Sequence, residues 1–204
     1  MCIRDSPMVP ADRRNPLNTT TYGTGELIRD ALDRGYRKIS IAIGGSATND
    51  GGMGAMRALG VRFLDDQGNE LEGRGRDLTR VADIDVSRMH PAVAQAGFTV
   101  MCDVTNPLTG PDGATYTFGK QKGGTPEILD VLEGGMVRYA ALLKEKLGVD
   151  VDKIPGAGAA GGLGAAFCVL SLIHILSHRL CHRTVPECQR TASDGQDSPW
   201  APSV

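Results

Sequence analysis

Apolar residues recur at helical spacing in residues 26–34, where Leu27, Ile28, Ala31 and Leu32 fall on one face. Thr24 is placed to cap the start of that helix and Gly35 to stop it. Residues 38–43, Lys-Ile-Ser-Ile-Ala-Ile, predict a buried strand of β-branched residues. A loop over 44–50 follows, then a small-residue helix over 51–59 closed by Gly60. Strand, glycine-rich loop and helix make half of a βαβ unit. Val61 to Leu64 and Leu71 flank a turn over 65–69 and predict a hairpin. Residues 81–86 alternate, and 98–102 read as another strand ending at Asp103. Residues 106–124 carry Gly, Pro and Thr throughout and predict a loop. Thr125 as cap and Pro126 at the first helical position open a long helix towards Leu147. A second glycine-rich segment, 156–164, precedes a further apolar run. The expected class is α/β.

Composition sharpens this picture at one point. The chain has 27 glycines and only 4% aromatic residues, and every glycine except Gly195 lies between Gly23 and Gly164. Glycine is used where backbone must approach a ligand or take positive φ, so the middle reads as loops built around a small polar ligand. A net charge of −2 argues against a nucleic-acid or polybasic membrane surface. No apolar run has the roughly 18 residues that a membrane span needs. The opening residues lack the apolar stretch of a signal peptide. Five irregularly spaced cysteines make no disulfide framework, so a reducing cytoplasm is expected.

Four segments could carry chemistry. In Gly44-Gly45-Ser46-Ala47-Thr48-Asn49-Asp50-Gly51-Gly52, glycines free backbone N–H groups to cradle an anion where a strand ends and a helix begins. Ser46 and Thr48 add hydroxyls. Asn49 and Asp50 suit substrate hydroxyls or a metal, or else cap a tight turn. No Gly-Lys-Ser/Thr follows, so this is not a Walker A loop. In Cys102-Asp103-Val104-Thr105-Asn106-Pro107, Asp103 is placed for Mg²⁺ or for taking a proton, or for an Asx-turn. Cys102 reads as a small core hydrophobe. Lys120 and Lys122, among glycines, suit a phosphate or a solvated surface. Gly156 to Gly161 matches G-x-G-x-x-G literally, but Pro155 spoils the strand that a nicotinamide fingerprint needs before it.

The two ends differ from the middle. Residues 1–6 and 169–204 resemble translated sequencing-adapter read-through. His174, His178 and His182 stand at i, i+4 and i+8 near Cys181 and Cys188, a zinc-like set without a C-x-x-C pair.

At these segments the sequence resembles the bacterial glycerate kinase family. The matching strings are Pro16-Leu17 with Tyr22-Gly23-Thr24-Gly25-Glu26, then 43–54, 102–113, 118–127 and 156–164, in the family's order. The resemblance covers 9–167, which gives an expected division into a non-native leader (1–8), parts of two α/β subdomains of a kinase (9–167) and a non-native tail (168–204). It implies an active site in a cleft between two α/β domains. There the γ-phosphoryl of Mg·ATP would pass to D-glycerate, with 2-phosphoglycerate as the family's usual product. ATP and Mg²⁺ are then the expected cofactors, and no nucleic acid or membrane partner is expected. Carried over by position, Gly44, Gly45, Ser46, Thr48, Asn49, Gly51 and Asn106 would bind substrate or phosphate. The base stays open between Asp50 and Asp103, Asp103 is also the expected metal ligand, and Lys122 would assist the phosphate. Family members are considerably longer, which leaves a non-catalytic sugar-acid or nucleotide-binding fragment as the alternative. A nicotinamide oxidoreductase would rest on 156–161 alone.

Overall fold

The computed structural model describes residues 9–177. Its elements are helix α1 (Tyr22–Asp33), strand β1 (Lys38–Ala42), α2 (Met53–Ala58), β2 (Arg62–Leu64), β3 (Asp83–Asp85), β4 (Gly97–Met101), α3 (Ala114–Phe118), α4 (Pro126–Leu147) and α5 (Ala159–Ser177), joined by 3₁₀ turns. The zinc reading falls on side chains outside the described ones.

β1 and β4 pair in parallel, Lys38 opposite Gly97 and Ala42 opposite Met101. Everything between them, α2 and the small sheet included, is the crossover that a parallel pair requires. β2 and β3 pair antiparallel, with Phe63 opposite Ile84 and Arg62 in an ion pair with Asp85. The expected turn over 65–69 forms, since Asp65 accepts from the backbone of Gln67 and Asn69. The hairpin does not continue: Leu64 and Glu70 make a single bridge, and β2 finds its strand partner in the alternating Asp83-Ile84-Asp85 instead. The alternation puts Ile84 in the core while both aspartates stay half-exposed.

α1 starts four residues before its expected first residue and Thr21 holds the cap position, while Gly35 ends it at φ 90° as expected. α4 begins as expected, with the Thr125 hydroxyl accepting from the Ile128 amide behind Pro126. Its buried stripe, Leu132, Met136, Tyr139 and Leu143, packs on Phe63 and Leu78. The segment 106–124 is not all loop. It folds α3 and a 3₁₀ turn (Lys120–Lys122), because Ala114 and Thr115 bury against the core. α5 opens with a break at Ala160, Gly161 and Gly162, all at positive φ, and then runs on with Phe167, Val169 and Leu170 buried. No helix among the described residues is long and apolar enough to cross a membrane.

α1 and α2 cross so closely that a Cβ at Gly25 would lie 2.4 Å from the Ala55 carbonyl oxygen and 2.7 Å from the Ala58 Cβ. Gly23, one turn edge away, has nothing within 4 Å. Gly25→Ala should therefore lower stability by about 1–3 kcal/mol through overpacking. Gly23→Ala should raise it by about 0.5–1 kcal/mol through helix propensity. Urea midpoints of the two variants test this; equal effects would refute the packing account.

Candidate active site

Because β1 and β4 are parallel, both strands end at the same edge, where the Ile43 amide donates to the Met101 carbonyl (3.3 Å). The chain beyond β1 divides in two there. Gly44 and Gly45 are exposed and Ser46 half-buried, and among the described residues no backbone hydrogen bond engages the Gly44 or Gly45 amide. From Ala47 to Gly52 every residue is buried.

The inner half is tied to a different element at almost every residue. The Ala47 carbonyl accepts from Thr19 Oγ1 (2.9 Å), and the Thr48 carbonyl from Lys122 Nζ (2.7 Å). Asn49 Nδ2 donates to Thr115 Oγ1 (3.2 Å) on α3. Asp50 Oδ2 accepts from the Thr21 amide (2.7 Å), the Thr21 hydroxyl (2.8 Å) and the Gly54 amide (3.3 Å), while Oδ1 accepts from the Gly52 amide (3.0 Å). Thr21 Oγ1 in turn accepts from the Ala55 amide (2.9 Å). The Gly51 amide donates to the Gly161 carbonyl (3.0 Å) at the break in α5. There a Cβ on residue 161 would stand 2.1 Å from the Thr48 carbonyl oxygen, so only glycine fits. Two buried atoms, Thr48 Oγ1 and Asn49 Oδ1, have no hydrogen-bond partner.

Burial pushes the Asp50 carboxyl above its ordinary value, against the pull of the Thr21, Gly52 and Gly54 donors. Burial likewise brings the Lys122 ammonium down to about 8, opposed by the charge of Asp50. Tyr139 on α4 is raised by burial and then by Asp50.

Five expected site residues thus lie inward: Thr48, Asn49 and Gly51, expected on substrate or phosphate, and Asp50 and Lys122. Lys122, expected beside a phosphate, is 2% exposed and donates to the Thr48 carbonyl. Asp50, a candidate base, has both oxygens occupied by protein donors. Asp103 is exposed just past β4 and makes no side-chain hydrogen bond or ion pair among the described residues. Asn106 uses its amide within its own loop, donating to the Asp112 carbonyl (2.8 Å). Cys102 is exposed, not a core residue, because β4 has already ended there; its thiol meets the Val104 carbonyl. The segment 156–161 follows a 3₁₀ turn (Val151–Lys153), not a strand, and seats both loops: the Gly158 amide donates to the Asn106 carbonyl and Gly161 accepts from Gly51. That removes the structural context a dinucleotide fingerprint needs.

Thr21 and Thr115 were not among the expected site residues. A run of three threonines, Thr19-Thr20-Thr21, directly before a helix is the signal for the first, since capping hydroxyls gather there. Thr115 lies inside a segment read as loop and gave no signal. A cavity of about 20 Å³, room for one water, lies between Thr21, Thr24, Gly44, Ser46 and Thr48. A larger cleft of about 330 Å³ lies elsewhere, against Asp65, Arg80 and Arg138, and contains none of the expected residues. No three His, Cys, Asp or Glu side chains form a metal cage among the described residues. Asp103 still fits Mg²⁺, which commonly takes one or two carboxylates and completes its shell with phosphate oxygens and water.

The glycerate kinase family model matches residues 6–177. This chain belongs to the glycerate kinase family. It is 52% identical over 157 residues to the glycerate kinase of Bacillus subtilis (strain 168), covering 77% of this chain and 41% of that protein. To the glycerate 2-kinase of Escherichia coli (strain K12) it is 50% identical over 159 residues, covering 78% and 42%. A crystal structure of a Salmonella typhimurium LT2 protein named as glycerate kinase 2 superposes with a TM-score of 0.79 at 51% identity, covering 80% of this chain and 44% of that one. The chain spans about two fifths of the length of the curated relatives it matches. The expected family and the α/β class both hold.

Asp50→Asn leaves buried donors mispaired and the Lys122 cation without its counter-charge, and should cost about 3–5 kcal/mol. Thr21→Val, which removes one buried hydroxyl from between Asp50 and Ala55, should cost about 1–3 kcal/mol. Asp103→Asn should stay within about 0.5 kcal/mol. Urea unfolding of the three variants checks the order; a large loss at Asp103 would contradict its free position.

Proposed function

We propose that this chain is the part of an ATP-dependent glycerate kinase that presents the phosphate-binding loop and the reacting carboxylate. The observation that carries this reading is the common carboxyl edge of β1 and β4. It sets the unengaged Gly44 and Gly45 amides and the unpaired Asp103 carboxylate on one side of a rigid buried support. Ligands of parallel α/β sheets bind at such edges. The names of the relatives point to glycerate as acceptor, and that of the E. coli relative to its 2-hydroxyl.

Phosphoryl transfer asks mainly for positioning and for neutralisation of charge. The amides of Gly44 and Gly45 hold phosphate or the glycerate carboxylate, and Ser46 adds a hydroxyl at the same edge. Asp103 is the better base of the two candidates, because Asp50 is fully engaged in the core. The attacking hydroxyl oxygen bonds to the γ-phosphorus, the bond to the ADP oxygen breaks, and the hydroxyl proton passes to the Asp103 carboxylate. If Asp103 instead held Mg²⁺, the ion would supply charge neutralisation at this edge and Asp103 would orient the attacking hydroxyl without taking its proton. Thr48, Asn49 and Gly51 shape the loop from behind, and Asn106 fixes the Asp103 loop. Small-molecule turnover of this kind fits the cytoplasm. A second reading for this chain is binding of a sugar acid or nucleotide without turnover.

A coupled ADP-release assay with D-glycerate and Mg·ATP separates these readings. It should be run on this chain and on the full-length B. subtilis relative, the latter with and without Asn at the position matching Asp103. The Asn variant should lose about 100-fold or more in kcat with little change in the KM for glycerate. An unchanged kcat would remove Asp103 from the chemistry. Ligand binding by this chain without ADP release would support the second reading for the chain itself.

A further inference from the structure

Lys122 is the one buried lysine among the described residues, 2% exposed. It comes from the short 3₁₀ turn Lys120–Lys122, between α3 and α4, and closes a contact across 74 residues of chain to the Thr48 carbonyl at 2.7 Å. That carbonyl lies one residue inside the buried half of the glycine loop, with Ala47 between it and Ser46. The next residue, Asn49, is held by Thr115 from α3, and the one after, Asp50, by Thr21. Three consecutive loop residues are therefore gripped from three directions, and Lys122 supplies the only cation of the three.

We propose that Lys122 is a positioning residue: its buried side-chain nitrogen, charged or neutral, donates to the Thr48 carbonyl, holds it inward and thereby fixes Gly44, Gly45 and Ser46 outward, without touching the ligand. A peptide unit whose carbonyl is pinned to the core has its plane set, and the residues just before it inherit that orientation. Fixing a loop before the ligand arrives removes the ordering cost from binding. The shape of the loop follows from the contacts alone; its bearing on phosphate binding rests on the kinase reading.

The charge state of Lys122 gives the arrangement a measurable signature. The titratable groups around it are Asp50 on the loop and Tyr139 on α4, which feels the same Asp50 charge; α3 presents the uncharged Thr115. The closed loop binds the Lys122 proton with a pKa of about 8, and an opened loop returns the group to its ordinary 10.5. Opening takes up a proton between those values, so raising the pH through that window disfavours opening. From pH 7 to 9.5 the closed form should gain about 30-fold over the open one. Asp50, raised by burial, contributes the opposite slope below its own pKa. A chain with Lys122→Met shows that slope alone.

The test is amide hydrogen exchange on the 204-residue chain, corrected for intrinsic rates, at pH 7 and 9.5. Protection of residues 48–54 relative to the Lys122→Met chain should rise about 30-fold, while residues 136–143 of α4 stay level. Should Lys122→Met not fold, the unaltered chain still decides by the same comparison between 48–54 and 136–143. A ¹⁵N titration of its lysine side chains adds a second readout, with one ammonium expected near 8. Protection that does not change with pH, or that rises equally in both segments, would overturn the proposal. So would the absence of any lysine titrating below 10. None of these readings requires catalysis, so they stand apart from the outcome of the kinase assay.

Discussion

A carboxylate and an ammonium taken out of water together are the condition on which this fold depends. Each ion alone would carry a desolvation penalty of several kcal/mol, and a buried pair is stable only if further hydrogen bonds complete its shell. Asp50 meets that condition with four donors from three residues. Lys122 meets it less fully, with one carbonyl and the field of Asp50. The difference shows in their titration: both are pushed towards the neutral form, yet neither is left without a partner. Such a pair contributes little net stability. What it contributes is uniqueness, since any other arrangement of the 47–52 segment would leave an ion stranded in the core.

The scarcity of aromatic residues and the wealth of glycine follow from the same constraint. To bring four donors to one carboxylate, backbone amides from two helix starts and a tight turn must converge within a few ångströms, and side chains would keep them apart. α1, α2, the 106–113 loop and the break in α5 therefore meet backbone to backbone. The large side chains stay in the core beside this junction, where α4 lays Tyr139 against Phe63, Met56 and the Gly51 backbone.

The sequence displayed elements better than contacts. The strand-loop-helix unit of β1 and α2, the start of α4 and the stop at Gly35 were legible because each rests on local chemistry: β-branched runs, Thr-Pro caps and a left-handed glycine. The pairing of β2 with β3 was not, since a good turn at 65–69 advertises a hairpin that tertiary packing then declines to extend. α3 was hidden because five residues rich in Thr carry no helical periodicity and fold only against the core. The string 44–52 was read as one functional set. Nothing local distinguishes Ser46, at the rim, from Asp50, fully enclosed; that distinction is made by Thr21, Thr115 and Lys122, which come from elsewhere in the chain.

Little of that string faces outward: only Gly44, Gly45 and Ser46 are not buried. A phosphate cradle alone needs glycines and amides, which many loops supply. A cradle whose backbone cannot relax needs the inner half as well, and nearly every residue of that half is tied to a different element. Thr48 Oγ1 and Asn49 Oδ1, buried without partners beside the Lys122 contact, are the exceptions in an otherwise satisfied hub. They lie at the junction between the two halves, where the support meets the cradle. A loop held through Asp50 and Lys122 but incompletely satisfied at Thr48 and Asn49 keeps its remaining hydrogen-bonding capacity close to the residues, Gly44 to Ser46, that are not buried.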